Sequence, residues 1–320
     1  MKNRKTIITS NSNTWGIASA FLALCIILSI TSKNFLKPVN LLNILQQVSI
    51  NFTIAIGMTF IILLGGIDLS VGSNVALTGL ILGILMKNFQ MPVWFAILVG
   101  FLVSTLIGML NGFLITYFEL PPFIATLGTM YIARGAAYTI TAGQPIYTFP
   151  QQFLIISERI GGVPLFAIII MILLYFVAWY ILKFTRLGRY TYAIGGNESC
   201  AKVSGINVKS VKIAAYAITG FCCGVASILL TSRLDSAVPT NADGYEMDAI
   251  AAVVIGGTSM SGGEGSTIGT LIGVLIIGVI GNGLNLLSVP QGAQRMVKGL
   301  IIVIAVIIDV MRRRRVAKAK

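Results

Sequence analysis

Ten apolar runs follow one another along this chain, separated by short polar connections, and that succession fixes the class of fold before any motif is read. They are residues 15–30, 41–64, 67–86, 92–118, 121–141, 163–183, 213–231, 249–260, 267–287 and 296–311. About 20 apolar residues carry a helix across a bilayer, so a chain of 320 residues can hold ten crossings with short loops. Charged residues make up only 10% and hydrophobic ones 56%, against roughly 25% and 45–50% in a soluble domain. The expectation is an all-α, polytopic bundle of about ten transmembrane helices, forming one membrane domain over residues 1–320. The eighth run, 249–260, is short for a full crossing.

Sidedness follows from the cations. Fifteen of the 23 lysines and arginines fall in residues 1–14, 183–212 and 312–320, and six in the connections on the other face. Cytoplasmic segments carry the excess of Lys and Arg, so both termini and the long connection at 184–212 are expected inside. No small-residue cleavage site follows the first run, which reads as an uncleaved helix. The acidic residues Glu158, Asp235, Asp243, Glu246 and Asp248 lean outward. A net charge of +13 would suit nucleic acid, but its placement at loops and ends fits a membrane protein instead. The tail Arg312–Arg315 reads as an anchor to anionic headgroups.

Several chemistries drop out. There is no histidine, which excludes imidazole catalysis and His-bound metal. Cys25, Cys200, Cys222 and Cys223 lack metal-ligand spacing and read as thiols. No phosphate-binding Gly-x-x-x-x-Gly-Lys-Ser/Thr loop is present, so the chain is not expected to hydrolyse ATP or to bind a cofactor. A membrane enzyme is disfavoured for the same reasons.

Polar groups at membrane depth are costly and face protein or a water-filled path. Here they are Gln46, Gln47, Asn51, Asn111, Arg134, Asn282 and Asn285. Nearly all are amides, which donate and accept neutral hydrogen bonds. They suit passage of an uncharged polyhydroxylated solute better than proton coupling, although inter-helical bonding alone would also explain them. Arg134 needs a partner that the sequence does not identify. Gly79/Gly83, Gly108/Gly112, Gly220/Gly224 and Gly269/Gly273 have the spacing that lets helices approach closely in lipid. Gly65-Gly66-x-x-x-Ser70-x-Gly72 recurs as Gly256-Gly257-x-x-x-Ser261-x-Gly263, either as duplicated halves or because tight turns need these residues.

In the 184–212 loop, Asn197 is a good N-cap and Glu198 suits a first turn. Gly205 can end the helix in a left-handed conformation. A two-turn helix over 198–204 follows, stiff enough for a soluble partner to push. Asp68 is expected to cap the helix after Gly66 by accepting from the amide of Ser70 or Val71. The alternative is a switch at an inner gate.

Three motifs, in order, resemble the permease subunits of bacterial sugar ATP-binding-cassette importers. They are Gly65-Gly66-Ile67-Asp68-Leu69-Ser70-Val71-Gly72-Ser73, Ala193-Ile194-Gly195-Gly196-Asn197-Glu198 with Ser204-Gly205-Ile206, and the segment from Tyr245 to Ser259. Gly281 to Leu287 adds a fourth. The resemblance covers nearly the whole chain after the first helix and implies a type II importer fold. It also implies an ATP-binding-cassette ATPase as partner, an extracytoplasmic sugar-binding protein, and a second permease copy forming a homodimer. Gly195, Gly196, Asn197, Glu198 and Gly205 then become the ATPase-coupling loop. The cargo it implies is a monosaccharide, ribose first, with xylose, galactosides or the furanose signal autoinducer-2 as alternatives. A secondary sugar transporter or a small-solute channel would lack the ATPase.

Overall fold

The computed structural model describes the backbone of residues 3–318 and the side chains of residues 15–311. The side chains of the basic amino end and of the Arg312–Arg315 tail lie outside that range.

α1 (Asn3–Thr31) leads to α2 (Pro38–Leu63), the axis around which the rest is built. Pro38 suits the first turn of α2, where its missing N–H is not needed. Every residue from Val48 to Leu63 is buried, so that stretch of α2 has no lipid face. It ends in a Schellman turn: Gly65, at φ +76°, donates to Ile62 O, and Gly66 donates to Ile61 O at 3.0 Å. An extended segment then runs to α3 (Val71–Gly83), continued by a π-helical turn over Ile84–Asn88. α4 (Val93–Tyr117) and α5 (Pro122–Thr141) follow, then the short α6 (Gln151–Leu154), α7 (Leu165–Phe184), α8 (Arg186–Gly196), α9 (Glu198–Val203) and α10 (Val208–Leu234). The chain closes with α11 (Tyr245–Ile255), α12 (Thr267–Leu286) and α13 (Gln291–Lys318). One departure from an all-helical chain is a two-residue ribbon, β1 (Ile146–Tyr147) paired antiparallel with β2 (Ser236–Ala237).

Among the described residues, six helices are long and apolar enough to cross a membrane: α2, α3 with its π-helical turn, α4, α7, α10 and α12. α4 and α7 turn apolar residues such as Leu98, Leu102, Leu173 and Phe176 outward, which in a bilayer meets acyl chains. The eighth run becomes α11, which starts four residues earlier than its apolar stretch and ends sooner. At 1.5 Å per residue it is about 16 Å long, roughly half of the ~30 Å hydrocarbon core.

Glycine seams hold the helices together. A Cβ at Gly108 would lie 2.2 Å from Tyr216 O, and one at Gly220 2.4 Å from Ser104 O. The Gly108/Gly112 and Gly220/Gly224 pairs therefore place α4 and α10 backbone to backbone. Gly256, Gly269 and Gly273 do the same for α11 and α12, with Gly273 against Ala252 O. Close contact of this kind replaces the hydrophobic drive that lipid cannot supply.

Candidate functional site

Two polar regions stand out, one at the end of the bundle carrying α8 and α9 and one in its interior.

At the first, Asn197 accepts from Cys200 N at 2.9 Å and starts α9. Gly205, at φ +79°, ends it in a Schellman turn in which Ile206 N donates to Ala201 O. Glu198 meets Lys212 at 2.8 Å, bracing α9 on the start of α10. The helix presents Val203, 90% exposed, to the surroundings. We expect Asn197→Ala to weaken α9 by about 1 kcal/mol, raising amide hydrogen exchange over 198–204 about fivefold while the rest of the bundle is unchanged.

Gly195 sits at a three-way junction. A Cβ there would lie 1.8 Å from Leu63 O at the end of α2, and 2.5 Å from Gly263 N. Gly263 N itself donates to Leu63 O at 2.9 Å. Tyr192, one turn earlier on α8, donates to Gly265 O at 2.9 Å, and burial raises its phenol above the ordinary range, so it remains a neutral donor. Gly196, by contrast, has open space where its Cβ would be. The two similar Gly-Gly segments meet here, with Gly65 packed against Ser261 O. Each ends a helix in a Schellman turn, since Gly257 N donates to Val254 O and Thr258 N to Val253 O. The two Gly-Gly pairs thus share one turn geometry, while Gly72 lies in α3 and Gly263 in a turn at φ +76°.

From Leu63 the chain leads directly into the interior region. Asp68 accepts from Ser70 N at 2.9 Å and from Ser70 Oγ at 2.7 Å, while Asn111 Nδ2 on α4 donates to Ser70 Oγ at 2.8 Å. Asp68 thus makes the expected bond to the Ser70 amide, although Ser70 itself occupies the cap position of α3. All three side chains are buried. Ser70→Ala would strip Asn111 and Asp68 of a shared buried partner. A loss of about 1–3 kcal/mol is expected, read as a lower melting temperature of the detergent-purified chain.

The start of α3 abuts the start of α11: a Cβ at Gly72 would lie 2.3 Å from Glu246 Oε2 and 2.5 Å from Ala242 O. Arg134 on α5 finds its partner in this same turn. Its guanidinium donates to the main-chain carbonyls of Pro239 and Asn241, the latter at 2.9 Å.

The remaining amides are spread rather than gathered. Gln46 accepts from Arg159 Nη2 at 3.0 Å, and Asn43 accepts from the same nitrogen. Gln47 is half-buried beside it on α2. Asn282 and Asn40 exchange bonds at 2.8 and 3.1 Å, tying α12 to α2. Asn285 accepts from Gln294 Nε2 at 2.9 Å. Asn51 and Asn111 each keep a buried Oδ1 with no partner among the described residues. The acidic connection at 232–248 is matched internally. Asp235 accepts from Phe149 N at 2.7 Å, Asp243 pairs with Arg295 at 3.0 Å and Asp248 with Lys298 at 2.7 Å. Sequence reasoning passed over these two ion pairs; a lysine inside the last apolar run was the signal that could have found them.

A bundle of glycine-seamed apolar helices, with the starts of α3 and α11 abutting and a capped helix at one end, defines a multi-pass membrane permease. Residues 40–306 match the family described as "Branched-chain amino acid transport system / permease component". The chain belongs to this family, as a transport component and not an enzyme. It is 46% identical over 298 residues to the ribose import permease of Haemophilus influenzae, covering 91% of this chain and 92% of that one. It is 49% identical to the ribose import permease of Bacillus subtilis, over 89% of each chain. Identity to the D-allose transport permease of Escherichia coli is 38%, over 92% of each. No solved structure matches the chain.

Proposed function

We propose that this chain is the membrane subunit of an ATP-binding-cassette importer that carries ribose inward by alternating access. The observation that supports it most is identity of 44–49% over about nine-tenths of the chain to three ribose import permeases, against 38% to the allose permease. In this reading the end bearing α8 and α9 is cytoplasmic and both termini lie there, with ten membrane segments of which α11 spans half. Gly195, Gly196, Asn197, Glu198 and Gly205 form the surface that receives the ATPase. A separate sugar-binding protein delivers ribose to the opposite face, and two permease copies form the pathway. The chain binds no cofactor; ATP is used by the partner subunit. Asp68 and Ser70 form the inner gate, joined through Leu63 to the junction at Gly195. Gln46, Gln47, Asn51, Asn111, Arg134, Asn282 and Asn285 remain the candidates for the path.

The test is purification of the tagged chain from native membranes in mild detergent, followed by ribose uptake into proteoliposomes with binding protein and internal ATP. An ATPase in stoichiometric amount and ATP-dependent ribose uptake are expected. A chain that purifies alone after gentle cross-linking would overturn the importer reading. Uptake of another sugar with no ribose uptake would overturn the cargo.

A further inference from the structure

The far end of the bundle holds a cavity of about 590 Å³ between the start of α11, the end of α12 and the first turns of α13. That is within the ~300–1,000 Å³ typical of small-molecule sites. Its floor is the Lys298–Asp248 pair, with the Asp248 side chain only 10% exposed. Its rim is the Arg295–Asp243 pair, open to the surroundings. Asn285, Gln291 and Gln294 complete the polar wall.

Two features select the ligand. The four ionised groups pair off within the cavity, two carboxylates against two cations, so the site has no surplus charge for an anion or a cation. The polar atoms left over are the amide ones. Gln294 spends its Nε2 on Asn285 Oδ1 and Val289 O. Asn285 Nδ2 and Gln294 Oε1 then have no protein partner among the described residues. A free donor and a free acceptor beside carboxylates and cations suit vicinal hydroxyls, each of which both donates and accepts. Met247 and Ile302 supply an apolar wall for the C–H face of a ring.

We propose that this cavity is a monosaccharide site, where the sugar first contacts the permease after leaving its binding protein. The assignment rests on the ribose-importer reading above. Asn285 and Gln294 select hydroxyl geometry, and the Lys298–Asp248 pair forms the floor on which the ring rests. Because Asp248 belongs to α11, a ring seated there bears on the helix whose other end leads into the 256–266 turn against Gly195.

The experiment uses the full complex in nanodiscs, with the ATPase, the binding protein, and a permease carrying Cys200→Ser and Met247→Cys. Labelling of the introduced thiol by a membrane-impermeant methanethiosulfonate reagent is followed with ribose-loaded and with sugar-free binding protein. Ribose should slow labelling at least fivefold beyond the sugar-free control. Equal rates would overturn the proposal. So would a thiol that reacts only after denaturation, since a second copy then covers the cavity. In parallel, Asn285→Ala should lower kcat/KM for ribose uptake about tenfold with the ATPase still bound in full amount. Unchanged kcat/KM would overturn the role given to Asn285. The two readings fail differently. A parent complex without ribose uptake removes the importer reading, whereas ribose uptake without protection removes only the cavity.

Discussion

Gly195→Ala is expected to abolish ATP-dependent uptake and to cut the yield of monodisperse chain several-fold, whereas Gly196→Ala leaves the yield and size-exclusion profile of the permease unchanged. The contrast comes from one residue step. A methyl at 195 would sit 1.8 Å from Leu63 O and 2.5 Å from Gly263 N, both backbone atoms that no rotamer change can move aside. α8 would have to lift away from the end of α2, breaking the approach on which the Gly263 N to Leu63 O bond depends. Overpacking a well-packed contact typically costs about 1–3 kcal/mol, occasionally more, and here the clash is with two segments at once. At Gly196 the methyl enters open space. The check is to express both variants side by side, compare size-exclusion profiles, and measure uptake in proteoliposomes. Normal yield and uptake for Gly195→Ala would mean that α8 does not need this contact, and the route from α9 through Leu63 to Asp68 would lose its first link.

Helix α9 was legible in the sequence because every signal for it is local. Asn197, Glu198 and Gly205 lie within nine positions, and each acts on its own turn of backbone. The short eighth run was legible as short. Its true start was not, because Glu246 and Asp248 look like loop residues until a cation elsewhere neutralises them. Lys298 does so for Asp248 from the last helix. Their place in the first turn of α11 also matches the positive end of a helix dipole. The same limit explains the acidic connection, whose residues lean outward in the sequence yet include Asp243, Asp248 and Asp235, engaged with Arg295, Lys298 and the Phe149 amide. Tertiary closeness set these pairings, and no spacing rule encodes it. The small-residue pairs were legible as contact surfaces, but no spacing matches the α4 pair to α10 rather than to another helix. Arg134 was the hardest case. A search for an opposite charge would have missed partners that are carbonyls of the main chain.

Those carbonyls make Arg134→Met the variant with the largest expected effect in the interior. Arg134 reaches from α5 to Pro239 O and Asn241 O, in the turn that feeds α11. That turn carries Ala242 O and Glu246 onto the start of α3 at Gly72, so one guanidinium holds together the junction where α3 and α11 begin. Methionine keeps much of the volume but leaves two carbonyls without their charged donor. Hydrogen bonds to charged groups contribute about 1.5–3 kcal/mol each, and a buried acceptor left unmade loses that and its solvation. We expect the melting temperature of the purified chain to fall by several degrees and transport to drop at least tenfold, with the ATPase still bound if α8 and α9, at the other end, receive it as proposed. Arg134→Lys should restore part of both, since an ammonium can reach one carbonyl but lacks the fork that serves two. If the methionine variant melts and transports like the parent, the 238–244 turn is held by its own hydrogen bonds. The meeting of α3 and α11 would then be a packing feature with no stake in transport. If stability falls but transport per folded complex is unchanged, Arg134 braces the fold alone. A loss in both, with partial rescue by lysine, places the α5 clamp within the moving part of the permease.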